Sequence, residues 1–242
     1  MMVEQRTVLV TGASSGIGAA IVDTLLQHGY KVIGVGSRPS SERTPSENYT
    51  YEPIDLSDLR LLPDALKTLI KKFPNIDTVV CNAGKGMFGS LEEASYDQIN
   101  DLIALNLTSQ VYILRAFVPL LKRQGRGDIV LMGSEAALSG GRKGAVYCAT
   151  KFGLRGFAEA LREEVSKSGI RVTMINPGMV KTPFFDELSF EPGHEECNYI
   201  LPNDVAEAVH FVLDSNLNII YDEINLSPLK KVISHKRKAD SD

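Results

Sequence analysis

Apolar residues along this chain follow two alternating rhythms. Short β-rich runs, several of them apolar throughout, read as six strands: Thr7–Val10, Lys31–Val35, Tyr49–Ile54, Thr78–Gly84, Asp128–Ser134 and Ile170–Gly178. Stretches with helical spacing lie between them: Ile17–Gln27, Asp58–Phe73, Tyr96–Arg123 and Tyr147–Lys167. Pro119 predicts a kink near the end of the third stretch, and Gly169 a stop after the fourth. Strands such as TVVC and DIVLM are apolar at every position, which fits cover on both faces. Strict alternation of strand and helix implies parallel βαβ units. The predicted fold is therefore α/β, a doubly wound parallel β-sheet with helices on both faces.

After Gly178 the rhythm loosens. Residues 179–201 mix Pro, Gly, aromatics and charges, and read as a mobile lobe on the substrate side. Pro202–Leu213 is a predicted helix capped by Asn203, and Asn218–Leu226 a predicted last strand. Residues 230–242 form a basic, polar tail expected to be solvated and disordered, and Ser37–Asn48, with two prolines, an exposed loop. No repeat or linker divides the chain, so residues 1–242 are expected to form one domain.

Composition narrows the function classes. Hydrophobic residues make up 43% of the 242, and the net charge is −4, so no positive excess calls for nucleic acid. No uninterrupted apolar stretch is expected to span a bilayer, and the opening MMVEQRTVLV lacks a signal peptide's cleavage region. A cytoplasmic protein is expected, with Cys81, Cys148 and Cys197 as reduced, unpaired thiols. His194 and Cys197 are the one near-cluster of metal-ligand types. They have no second ligand pair, so no metal is expected.

Two features carry chemistry. Gly12, Gly16 and Gly18 follow the first strand and open a helix, where backbone amides and the helix dipole favour a phosphate. Tyr147 and Lys151 stand four apart on one helix face, and a fixed ammonium near a phenol favours the phenolate. A dinucleotide site beside an activated phenol suggests hydride transfer at a carbon–oxygen bond.

Together these residues resemble the short-chain dehydrogenase/reductases. TGASSGIG (Thr11–Gly18) is similar to that family's cofactor turn, Asp55 to its adenine-contacting acid, Cys81–Gly84 to its NAG motif, and Asn176–Thr182 to its segment near the nicotinamide. Asn106, Ser134, Tyr147 and Lys151 match its catalytic tetrad, with Ser and Tyr thirteen positions apart. The resemblance implies a Rossmann-like sheet and cofactor contacts from Gly12, Ser14, Ser15, Gly16, Ile17 and Gly18 in the turn. It implies others from Asp55, Leu56, Asn82, Ala83, Gly84, Tyr147, Lys151, Pro177, Gly178, Val180 and Thr182. It also implies roles. Tyr147 is the general acid or base and Ser134 binds the carbonyl oxygen. Lys151 holds the nicotinamide ribose and lowers the phenol pKa together with the oxidised ring. Asn106 positions a water that links Lys151 to solvent.

At the end of the second strand an acid would bind the adenosine ribose and repel a 2′-phosphate. Gly36 stands there, followed by Ser37 and Arg38, a hydroxyl and a guanidinium suited to a phosphate. NADP(H) is therefore expected rather than NAD(H). Substrate contacts are expected from Lys85, Glu135, Met179, Phe184 and Phe185. The aromatics read equally as the lobe's own core, and Arg142 and Lys143 as carboxylate partners or solvated loop. The closing YDEINLSPLKK resembles a subgroup acting on 3-hydroxy acids and serine-like substrates. The predicted activity is an NADP(H)-dependent carbonyl reductase or alcohol dehydrogenase for a small molecule, assembled as a homodimer or homotetramer. The alternatives are a catalytically silent NADP(H)-binding regulator and an epimerase or dehydratase, the latter needing more chain than follows Thr182.

Overall fold

The computed structural model describes residues 5–38, 44 and 46–236. Its strands are β1 (Thr7–Thr11), β2 (Lys31–Gly36), β3 (Tyr49–Pro53), β4 (Thr78–Cys81), β5 (Gly127–Met132), β6 (Ile170–Pro177), β7 (Phe190–Pro192), β8 (Glu223–Leu226) and β9 (Ile233–His235). Seven of them form one sheet in the order β3-β2-β1-β4-β5-β6-β8, and every neighbouring pair is parallel. Chain order reverses between β1 and β4. The loops leaving their carboxyl ends diverge there and open a crevice, the usual ligand position in such sheets.

The helices are α1 (Gly16–Gln27), α2 (Leu62–Lys72), α3 (Tyr96–Ile103), α4 (Ser109–Gln124), α5 (Ala145–Val165) and α6 (Pro202–Asp214). Alternate residues of each central strand feed two cores. Leu9, Val79, Cys81, Ile129 and Leu131 pack with α2, α4 and α5. Val8, Val10, Val80, Val130 and Met132 pack with α1 and α6. This two-sided cover explains why the strands are apolar at every position. At the amino end of the sheet, away from the crevice, Arg6 joins Asp77 and Asp128, and Arg171 joins Asp128 at 2.6 Å.

Several elements depart from their predicted forms. The single helix expected over Tyr96–Arg123 is α3 and α4 joined by a π-helical turn at Ala104–Thr108, and it runs on through Pro119. By length and composition alone this run is apolar enough to cross a membrane, a test that a buried core helix also meets. Its apolar residues Leu102, Ile113, Leu114 and Phe117 are instead fully buried in the fold. Asp58 precedes α2 and turns the chain into it, its carboxylate accepting the Arg60 and Leu61 amides. Helix α5 starts at Ala145, which places Tyr147 inside its first turn, and Gly169 takes the left-handed conformation after it. Asn203 does not cap α6; Leu201 is the N-cap residue, and its amide donates to Asp204 at 2.8 Å.

The expected last strand shrinks to Glu223–Leu226, because Asn216 bends the chain by accepting the Asn218 and Ile219 amides. The basic tail is not a solvated coil as far as residue 236. Strand β9 pairs antiparallel with β7 of the lobe, in the register Phe190↔His235 to Pro192↔Ile233. The rest of the expected tail, 237–242, and part of the Ser37–Asn48 loop lie outside the described residues.

Candidate active site

The three turn glycines do different work. Gly12 and Gly16 adopt φ values of 66° and 54°, which strain any side chain. A Cβ on Gly12 would stand 2.9 Å from Ala83 Cα, and one on Gly18 would run into the Gly12 carbonyl oxygen. These two glycines let the turn close against the loop after β4. A Cβ on Gly16 would meet Thr182 at 3.3 Å, so the turn and the segment after β6 face each other across the crevice. Ser15 is the N-cap of α1 without a side-chain cap bond, and no acid occupies the first turn. The leading amides and the positive end of the dipole suit a phosphate, and the cradle is one that side chains would fill. The residues present thus fit a dinucleotide. Ser14 and Ile17 are half-buried beside this turn and Ser15 is exposed.

Thr11 fastens the turn to β4, a role the sequence did not suggest. Its hydroxyl accepts the Asn82 and Ala83 amides at 2.9 and 3.1 Å, and Asn82 Nδ2 donates to the Thr11 carbonyl at 3.0 Å. At the end of β2, a Cβ on Gly36 would stand 2.6 Å from the Tyr51 hydroxyl. Tyr51 therefore excludes an acid from that position. Its hydroxyl donates to the Arg38 carbonyl and is bonded to the Ser14 side chain, while burial raises its pKa. Ser37 and Arg38 are exposed beside it. Asp55 is exposed and turned toward its own loop, accepting the Ser57 hydroxyl at 2.6 Å and amide at 2.9 Å, bonds that lower its pKa. The Leu56 side chain is buried in the core.

Tyr147, Ser134, Lys151 and Asn106 converge at the carboxyl ends of β4 and β5. Ser134 begins a short 3-10 turn, its Oγ accepting the Ala136 amide at 3.1 Å, and its hydroxyl also bonds the Tyr147 phenol. Burial pushes the Tyr147 phenol up to about 12, with the Ser134 bond pulling the other way. Burial likewise brings the Lys151 ammonium down to about 8. Lys151 Nζ donates to the Met132 carbonyl at 2.9 Å and lies 5.8 Å from the Tyr147 ring centre. The phenol stands above its ordinary value rather than below it, because its removal from water is the largest influence and Lys151 is not among the groups that shift it.

Asn106 sits in the π-helical turn and is 1% exposed. Its side chain grips the backbone of one residue on both sides: Oδ1 accepts the Lys85 amide and Nδ2 donates to the Lys85 carbonyl, each at 2.9 Å. Gly84 is bordered by both Asn106 Oδ1 and Lys151 Nζ, which a Cβ there would approach to 3.2 and 3.8 Å. Gln110, buried one turn later, donates to the Ala83 carbonyl at 3.0 Å. A buried Gln in an apolar helix is the same kind of signal as Asn106 and could have been read from the sequence.

Across the crevice, Pro177 ends β6 and the Gly178 amide donates to Leu226 at 2.8 Å. Val180 bridges Ile200, and the Thr182 Oγ1 accepts the Phe184 amide at 3.4 Å. The substrate-side candidates scatter. Met179 is buried at 9% exposure, and Lys85 is exposed, engaged through its backbone. Glu135 bonds Lys231 of the closing segment at 2.6 Å. Arg142 and Lys143 are exposed. Phe185 is buried in the lobe, whereas Phe184 is half-buried with its ring centre 6.1 Å from that of Tyr147. Phe88, which no sequence signal marked, lies closer, at 5.2 Å. Among the described residues no group of three metal-ligand side chains gathers.

A sequence profile described as short chain dehydrogenase matches residues 6–192. The NADP-dependent 3-hydroxy acid dehydrogenase of Schizosaccharomyces pombe is 30% identical, with 89% of each chain covered. The structure of serine dehydrogenase from Escherichia coli superposes with a TM-score of 0.77 at 29% identity, covering 91% of this chain and 96% of that one. An alcohol dehydrogenase from Thermococcus sibiricus, complexed with 5-hydroxy-NADP, gives 0.80 at 27% identity, covering 92% and 96%.

Proposed function

The chain belongs to the short-chain dehydrogenase family, and from that premise we propose an NADP(H)-dependent oxidoreductase that interconverts a carbonyl and a secondary alcohol on a small molecule. The observation that carries this reading is the bonded pair of Tyr147 and Ser134 hydroxyls, with the phenol buried beside the buried Lys151. NADPH would supply the hydride. Gly12, Gly16, Gly18 and the leading amides of α1 would hold its pyrophosphate, with Asn82, Ala83, Gly84 and the Pro177–Thr182 segment along its length.

Tyr147 keeps its proton at neutral pH, since burial holds the phenol near 12, and this is the form a carbonyl oxygen needs as hydride reaches its carbon. The proton leaves Oη for that oxygen, and Ser134 stabilises the charge that develops there. Lys151, poised near pH 8, is suited to resupply the proton, and Asn106 fixes the Lys85 peptide that borders it. In the oxidative direction the same groups act in reverse.

Preference for NADP(H) rests on Gly36, where Tyr51 excludes an acid, and on the exposed Ser37 and Arg38. The 3-hydroxy acid dehydrogenase named NADP-dependent agrees with it. Arg38→Ala should weaken NADPH binding roughly tenfold more than NADH binding, as measured by fluorescence titration; equal losses remove Arg38 from the role. Consumption of NADPH with a panel of ketones, aldehydes and 3-oxo acids, followed by absorbance, tests the activity. Binding of NADPH without turnover on any carbonyl favours the silent regulator. We also propose a homodimer or homotetramer in the cytoplasm, built on α3–α4 and α5, where Phe152 and Ile103 are 44% and 37% exposed; light scattering reads the assembly.

A further inference from the structure

Five aromatic rings close a circuit around the proposed proton donor. Tyr147 meets Phe88 at 5.2 Å, Phe88 meets Phe190 at 5.0 Å, and Phe190 meets Phe185 at 5.8 Å. Phe185 meets Phe184 at 5.2 Å, and Phe184 returns to Tyr147 at 6.1 Å. The contacts are edge-on or tilted, the arrangement that ring quadrupoles favour. Three stretches of chain supply the rings: the loop after β4, the first turn of α5, and the lobe.

Two glycines make room for the rings nearest the phenol. A Cβ on Gly86 would stand 2.5 Å from the Phe184 ring, and one on Gly144 would stand 3.2 Å from Phe88. Phe185 is buried at 8% exposure and forms the back of the circuit, while Phe88 and Phe184 stay half-buried beside Tyr147. A carbonyl oxygen placed on the Tyr147 and Ser134 hydroxyls therefore carries its substituent against the Phe88 and Phe184 rings.

The charges nearby point the same way. Lys151 is committed to the Met132 carbonyl, and Lys236 to the Phe185 and Asp186 carbonyls. Lys231 is paired with Glu135, which follows Ser134 and lies close enough to raise the Tyr147 pKa. The groups bordering the phenol thus offer rings and a carboxylate; the exposed Lys85 on the Phe88 loop, and Arg142 and Lys143 on the loop bonded to it, are the cations left at the rim.

We propose that the substrate is an uncharged aryl ketone or aldehyde, or the matching aryl alcohol, with Phe88 and Phe184 as the specificity-determining residues. This rests on the oxidoreductase reading above. Reduction would add a hydride supplied by NADPH to the carbonyl carbon and the Tyr147 proton to its oxygen, giving the alcohol, NADP+ and a phenolate that regains its proton from solvent by way of Lys151.

The test compares kcat/KM for a phenyl ketone, an aliphatic ketone of equal carbon number, and an aliphatic 3-oxo acid. The phenyl ketone should lead by roughly tenfold or more. Phe88→Ala and Phe184→Leu should each erode that ratio, chiefly through KM, while NADPH affinity holds. Two results overturn the proposal: the 3-oxo acid leading with a preference that Lys85→Ala removes, or Phe88→Ala slowing all three substrates equally. If none of the three is reduced, saturation-transfer NMR with a phenyl alcohol separates the two readings. Binding that Phe88→Ala weakens keeps the aryl site while the oxidoreductase reading fails, and absent binding removes the aryl site.

Discussion

Between Thr11 and Lys151 buried polar side chains tie the crevice to backbone, whereas between Thr182 and Lys236 the opposite wall adds a cluster of ring contacts to a short backbone ladder and one lysine tip. On the first wall Thr11, Asn82, Asn106, Gln110 and Lys151 each bond a main-chain group of another segment. Thr11, Asn106, Gln110 and Lys151 are all buried at 5% exposure or less. On the second, the lobe stands around an open cavity of about 370 Å³ lined by Thr182, Phe185, Tyr199 and, from β7, Glu191 and Pro192, and Lys236 at the end of β9 bonds the Phe185 carbonyl. Bonds to backbone fix position and direction. Ring contacts fix neither as tightly, which suits a wall that must admit different molecules.

Substitutions of decreasing effect can break or sharpen this contrast. Tyr147→Phe removes one buried hydroxyl from the first wall. Turnover should fall by roughly 10³-fold with NADPH affinity nearly unchanged, in steady-state and titration assays; retained turnover would overturn the acid–base role. Gly18→Ala forces a methyl into the Gly12 carbonyl and should cost about 3 kcal/mol in urea unfolding, along with NADPH binding. A full-strength fold would show that the turn can give way, and that the two walls differ less than argued.

The third effect concerns pH. Below pH 8 both the folded and the unfolded chain carry charged Lys151, and the fold bears the full cost of burying it. Above pH 8 the folded lysine sheds its proton while the unfolded one holds it toward 10.5. The unfolded state then binds more protons, so stability climbs with pH through this window, by about 2 kcal/mol between pH 8 and 10. Tyr147 acts with the opposite sign between its ordinary 10 and about 12, where the folded chain keeps the proton and stability falls. Lys151→Met should lack the climb in urea melts collected across this range, and an unchanged profile would remove the buried-ammonium account. The smallest effect belongs to the second wall. Lys236→Ala frees the Phe185 carbonyl, which Lys236 Nζ holds at 2.5 Å, and should change global stability by about 1 kcal/mol or less. Amide exchange in β7 should quicken, and no change there would mean that the β7–β9 pairing alone holds the lobe.

What was legible in the sequence follows the same division. Strand and helix rhythms located the seven-stranded sheet because its central strands are covered on both faces. The glycine turn was readable because backbone conformation and close packing restrict which residues can stand there. Asn106 was readable because a buried amide in an apolar helix needs a partner. Phe88 was not, since a phenylalanine in a loop is ordinary until the fold brings it to Tyr147. The β7–β9 pairing was hidden for a related reason: three-residue strands far apart in the chain carry no periodicity to detect. Asn203 was misread as a cap because the helix starts one residue before it, at Pro202, which leaves Asn203 inside the first turn.

The π-helical turn at Ala104–Thr108 has a consequence for how this chain tolerates length changes. Deleting one residue there would restore an ordinary α-helix with a smoother ladder, a gain by local criteria. It would also rotate everything on one side of the cut by about 100° relative to the other. Asn106 would swing off the Lys85 peptide, or α4 would turn Phe117 out of the core. The spare residue works as a phase shifter between two faces that must both point inward, so this helix can lengthen or shorten at its ends far more readily than in its middle.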